Sequence, residues 1–271
     1  MKKEFEEFLG LYNQDSSVEE DFQKFLEHNT CLIPRQFVQH HGIELNVVYV
    51  KVSLGNDYIS DFMFVTKSSA DWTCVHIEIE NPKKPIFKEK GGFSALYNDA
   101  RTQVKNWEVW FKKSENKSSF ENSIKIALRS NMRDNPINHK FILIYGRDSE
   151  IDCEQKKRLW SGEKNIDANF YAMTWDSLFE GTHGILNLAK FTNQKVHFID
   201  CPTPLRGDLF VSGLNPADFE MPQETIEKMK QTLLQEQEND KNNPITDNEF
   251  FFKRINNIIE CVSKIKTYKK K

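Results

Sequence analysis

Asp61, Glu78 and Glu80 lie on the strands of residues 60–82, SDFMFVTKSSADWTCVHIEIENP, a stretch that otherwise reads as two β-strands. Alternation along the first strand puts Ile59, Asp61, Met63 and Val65 on one face, so Asp61 shares a face with apolar neighbours. Along the second, Cys74, His76, Glu78 and Glu80 share one face, while Val75, Ile77 and Ile79 fill the other. Glutamates at i and i+2 point the same way, roughly 7 Å apart along the chain. If the strands pair through the KSSAD turn, Asp61 comes near Glu78 or Glu80. Three carboxylates held together repel, so such a cluster requires a cation or protons. A hard divalent ion such as magnesium prefers carboxylate oxygens and water. Bound there, it can orient a water, lower its pKa and stabilise a phosphoryl transition state. The same pattern also fits the polar face of an exposed sheet.

Gln103 sits at helical spacing between Ala100 and Trp107. From there an amide can reach over a strand end and position a water or a phosphate oxygen; a partly buried amide bonded to backbone is the simpler reading. His76 lies on the Glu78 face and reads as a sheet histidine bonded to a neighbour. Asp176 reads as a helix cap. Arg147 and Lys140 flank a buried strand and could touch phosphates. Gly91-Gly92 lacks the downstream lysine and threonine of a phosphate-binding loop. No serine-histidine-aspartate or cysteine-histidine pattern stands out, which argues against a nucleophilic hydrolase.

These residues need elements to position them. Ser17 with Glu20 fits a capping box for a helix whose apolar face holds Val18, Phe22, Phe25 and Leu26. Residues 43–53 and 58–65 read as a hairpin around LGND, and 72–80 as a third strand stopped by Asn81-Pro82. Leu96, Ala100, Val104, Trp107 and Phe111 form a helical stripe. A short helix fits 124–128. HKFILIYG is a buried strand, and NFYAMTWDSLFE runs from strand into a short helix. The order is that of an α/β sandwich with a mixed sheet. From residue 186 the chain reads as loop-rich. A helix follows at 223–238, then an ENDKNNP loop. The last helix carries Phe251, Ile255, Ile258, Ile259, Val262 and Ile265 on one face, with Thr246 and Glu249 as its cap. The final KIKTYKKK reads as a frayed basic tail.

The chain has 271 residues and a net charge of −3, which gives no global attraction to nucleic acid or membrane. Its apolar runs are too short for a membrane span, and MKKEFEEFLG is charged throughout, unlike a signal peptide. Five widely spaced cysteines without a C-x-x-C pair favour reduced thiols in a cytoplasm.

The ordered set EEDFQKFLEHN, SDFMFV, HIEIENPKKPIF, ALYNDARTQVKNW, FILIYGRD and MTWDSLFE resembles the PD-(D/E)XK nuclease superfamily and, within it, the Shedu anti-phage nuclease domain, over roughly residues 17–182. The resemblance implies a restriction-endonuclease-like mixed β-sheet flanked by helices at residues 1–185; residues 186–271 then read as a loop-rich, then helical C-terminal extension for oligomerisation or DNA clamping, and the apolar face of residues 251–265 motivates the oligomer interface. It implies a Mg2+- or Mn2+-dependent endonuclease acting on double-stranded DNA, a bacterial defence effector, as a homo-oligomer triggered by a phage component. Asp61 and Glu78 match the metal ligands, helped by the Ile79 carbonyl. Gln103 matches the helix glutamine, and Glu19, with Glu20 as competitor, a glutamate that can join the metal shell. The family pattern has lysine where this chain has Glu80, which would then bind a second metal or act as base; Lys83 or Lys84 could swing back to supply the charge. The alternative is a catalytically inactive fold that binds DNA or a phage protein as a sensor.

Overall fold

The computed structural model describes residues 2–165, 167–181, 183–203, 213–240 and 248–269. Among these, seven α-helices surround a nine-stranded mixed sheet of order β5-β4-β3-β2-β1-β6-β7-β8-β9. β1 (Ile43–Leu54), β2 (Tyr58–Lys67) and β3 (Trp72–Ile79) are antiparallel neighbours. β4 (Ile137–Ile144) and β5 (Phe170–Met173) add parallel to β3.

The sheet has a core on each face. Phe62, Phe64, Val75, Ile77 and Ile79 pack with α1 (Lys2–Tyr12) and α2 (Glu19–His28) through Phe8, Phe22, Phe25 and Leu26. Met63, Val65 and Cys74 pack on the opposite face with α3 (Ala95–Lys112), through Ala100, Val104 and Trp107. Alternation therefore holds along β2 and β3, and the even-numbered positions of β3 look toward α3.

Several elements differ from the sequence reading. α1 was not expected, because its glutamates hide a stripe of Phe5, Phe8 and Leu9; Phe8 is fully buried and stacks on Trp175 at 5.6 Å. Ser17 and Glu20 do not cap α2. Val18 is its N-cap and is 56% exposed, Asp21 accepts the Val18 N–H at 2.9 Å, and Ser17 Oγ donates to the Leu11 carbonyl. In α3, Leu96 faces solvent and Tyr97 takes the buried place. The short helix expected at 124–128 is the end of α4 (Ser114–Ile124) and a following 3-10 turn; only Phe120 and Ile124 of α4 are buried, too few for a visible period. α5 (Glu154–Asn165) was unread because Trp160 is its buried apolar anchor.

The C-terminal part is not loop-rich at its start. β6 (Asn187–Thr192) pairs parallel to β1, and β7 (Lys195–Asp200) turns back on it. β8 (Phe219–Pro222) and β9 (Lys266–Tyr268) complete the sheet, so the expected frayed tail is in part a strand. α6 (Gln223–Asp240) and α7 (Asn248–Ser263) follow the helical expectation. On the described part of the α7 face, Ile255, Ile258 and Val262, with Ile265 just beyond the helix, are buried in one cluster with Ile226, Met229 and Leu233 of α6. Residues 241–247, with the Thr246 cap and most of the expected loop, lie outside the described residues, as do the Glu249 and Phe251 side chains. None of the five cysteines is in a disulfide. No described helix is long and apolar enough to cross a membrane.

Candidate active site

The β1–β2 hairpin fixes the first carboxylate. Leu54 pairs with Tyr58 around the Gly55 turn, and the register Val50↔Phe62 and Val52↔Ser60 places Lys51 opposite Asp61. Lys51 Nζ donates to Asp61 Oδ1 at 2.6 Å, and the other oxygen, Oδ2, accepts the Ile79 N–H at 2.9 Å. Asp61 thereby spans from β2 to the end of β3, where Glu78 stands.

Glu78 is held from above. Its position on the α3 side of the sheet meets Gln103, whose Nε2 donates to Glu78 Oε1 at 2.5 Å. Glu78 Oε2 is buried and has no hydrogen-bond partner. A carboxylate oxygen in that condition is costly unless the group is protonated or a cation joins it. Burial pushes the Glu78 carboxyl well above its usual range, and the charges of Asp61 and Glu80 push the same way. Burial also raises Asp61, against the opposing pull of Lys51 and the Ile79 N–H.

Glu80 follows the strand end. Its backbone carbonyl accepts the Trp175 indole N–H at 2.8 Å and its N–H donates to the Ile144 carbonyl, which fixes the chain as it leaves β3. Lys84 binds the Glu80 carboxylate and also Glu19 Oε2, the latter at 3.2 Å. Burial lifts the Glu80 carboxyl to about 7, opposed by Lys84 and reinforced by the nearby Glu19. Lys84 thus occupies the position anticipated for a lysine swinging back from the loop, whereas Lys83 turns away to the Gln14 carbonyl. Glu20 pairs with Lys24 on the exposed side of α2.

The remaining candidates lie elsewhere. His76 is buried under Phe111, Phe120 and Phe141, with its Nε2 3.2 Å from His139 Nδ1. Arg147 is not free for phosphates: it forms a two-point pair with Asp176 at 2.7 and 2.8 Å and stacks on Tyr12 and Phe8. Asp176 is accordingly an ion-pair partner, and it also accepts the Asp148 N–H at 2.8 Å. Lys140 is bound to the Ala168 carbonyl and Asn169 Oδ1. Sequence reasoning missed Lys51, although counting back from the three-residue turn after Leu54 sets it against Asp61.

The donor set suits a hard divalent ion in a limited way. Among the described residues no three His, Cys, Asp or Glu side chains are grouped so as to hold a metal. Asp61 and Glu78 alone converge with an unpartnered oxygen available. Two carboxylates completed by water are enough for magnesium, which retains several waters. Beside Gln103 an open groove of about 810 Å³ runs between α3 and the hairpin arm, lined by Thr102, Asn106, Ser53, Tyr58 and the exposed Ile59.

Compared with family models, residues 16–179, more than half of the chain, match one described as Shedu protein SduA, C-terminal. None of the curated proteins matches the chain.

Proposed function

The chain belongs to the Shedu protein SduA C-terminal family, and from that membership and the carboxylate site we propose that it is a metal-dependent DNA endonuclease of the PD-(D/E)XK type, a bacterial anti-phage defence effector with a restriction-endonuclease-like core. The observation that carries the reading is Glu78 Oε2, buried without a partner beside Asp61. Asp61 and Glu78 would hold Mg2+ or Mn2+, which when bound makes a water more acidic and stabilises charge on a phosphodiester.

The chain's own residues supply the rest. The Gln103 amide holds one oxygen of the Glu78 carboxylate and leaves the other, Oε2, without a partner. Glu80, with its carboxyl at about 7, is suited to accept a proton from water near neutral pH. Lys84 tethers Glu80 to Glu19, so α2 contributes to the position of the base. Double-stranded DNA is the substrate in this reading.

A second reading is supported by the same lysines. Lys51 and Lys84 already neutralise Asp61 and Glu80 without any ion, as a catalytically inactive DNA- or phage-protein-binding sensor would need. Titration of Mg2+ and Mn2+ against supercoiled plasmid separates the two. The enzyme reading expects metal-dependent cleavage that Asp61→Ala lowers by at least about 100-fold. Binding of plasmid with no cleavage under either metal would sink it in favour of the sensor.

A further inference from the structure

Lys51 has an unusual backbone. Its φ is +48° inside β1, where its neighbours Val50 and Val52 keep regular pairing with β2. A lysine in that region is strained and persists only where the surroundings hold it. The local consequence is a side chain aimed across the hairpin, with Nζ 2.6 Å from Asp61 and 55% of the side chain exposed. Lys84, the other ammonium at the site, already serves Glu80 and Glu19 together. Among the described residues the Lys51 ammonium bonds Asp61 alone, which leaves two of its three donors open to solvent.

The charges around it give that ammonium a second use. Asp61, Glu78, Glu80 and Glu19 would repel an approaching phosphodiester. A cation on a flexible stem at the solvent side of Asp61 can meet a phosphate oxygen without moving the sheet. We propose that Lys51 contacts the substrate phosphate: it is the counter-ion of Asp61 in the free protein and turns to a non-bridging phosphate oxygen once a divalent ion shares Asp61. This rests on the nuclease reading above. It has an electrostatic signature, because the ammonium and the divalent ion are like charges competing for one carboxylate. Removing the ammonium tightens ion binding while it weakens turnover. A merely structural lysine would move both in the same direction, or neither.

The test uses the full chain as wild type, Lys51→Met and Lys51→Gln, the last keeping a hydrogen-bond donor for Asp61 without the charge. Calorimetric titration with Mn2+ and plasmid cleavage at saturating Mn2+ are measured on each, with thermal melting as the check on folding. Expected are Mn2+ affinities several-fold to about tenfold higher in both variants, and cleavage lower by about 100-fold. Cleavage at the wild-type rate, or weaker Mn2+ binding, overturns the proposal. If neither variant folds, Lys51 is a structural counter-ion and the proposal is wrong. If wild type neither binds Mn2+ nor cleaves, the nuclease reading fails and takes this one with it. If wild type does both and the variants match it, only the role of Lys51 is refuted.

Discussion

At the scale of single residues, the site is defined by carboxyl groups that the fold keeps from ionising freely. Glu80 is lifted from 4.5 to about 7 by burial. Its folded-state pKa lies above the unfolded one, so its stabilising contribution is complete below about 4.5 and is lost as pH rises through about 7. Replacing it with glutamine removes that loss. Glu80→Gln is therefore expected to gain on wild type by about 1–3 kcal/mol between pH 5 and pH 8. Taking the difference cancels the buried histidines, whose depressed pKa values act in the opposite sense. Urea unfolding at the two pH values measures it, and an unchanged difference would show that Glu80 ionises normally. Protons and a divalent ion also compete for Asp61 and Glu78. Mn2+ should then raise the melting temperature of wild type more at pH 8 than at pH 5.5; equal shifts would place the ion elsewhere. Asp61, Glu78 and Gln103 were legible as candidates because alternation and helical spacing fix their faces. Lys51 could be set opposite Asp61 only by counting the hairpin register, and its left-handed backbone carries no compositional mark.

Among the elements, α3 does most to set the site, because it carries Gln103 over the sheet while its opposite requirement is burial. Ala100, Val104 and Trp107 bind it to the face that also presents Glu78. Trp107→Ala should cost about 3–5 kcal/mol and lower cleavage through misplacement of Gln103. Gln103→Leu should leave the melting temperature within a few degrees and still lower cleavage by roughly tenfold or more, since Glu78 loses its orienting donor. Loss of stability without loss of activity in Gln103→Leu would deny the amide a positioning role. The stripe of α3 was visible because Ala100, Val104, Trp107 and Phe111 are buried at helical intervals. α4 and α5 were not, since each meets the sheet through one or two large side chains and the rest of its surface is solvated. The Gly55 turn is similarly constrained. Its φ is +61°, and a Cβ there would lie 3.0 Å from the Trp110 ring. The hairpin that sets Lys51 against Asp61 thus depends on glycine at that corner.

For the whole molecule, one sheet joins the family-matched region to the C-terminal part. Val47, Val48 and Tyr49 of β1 pair with Asn187, Leu188 and Ala189 of β6, and Tyr49 stacks on Phe191 at 4.5 Å. A chain ending at residue 185 would expose the β1 edge and the apolar surface that Ala189, Val196 and Phe198 cover. It is expected to express as aggregate, or to melt far below the full chain; a soluble truncation with wild-type melting would show the first part to be self-sufficient. The sequence placed α6 and α7 but not β6 to β9, because strands of three to six residues between prolines and polar turns leave too little alternation to read. Ile255, Ile258 and Val262, part of the apolar face that the sequence reading offers to a subunit contact, are packed against α6.

The outermost strands, β5 and β9, are only four and three residues long. A neighbouring chain laid along either rim would find few backbone groups to bind, and at β9 it would meet Lys266 and Lys269 as well. The ladder is in that sense self-terminating. The described rims thus offer little to edge-to-edge pairing, and lengthening a rim strand would be a direct route to fibres.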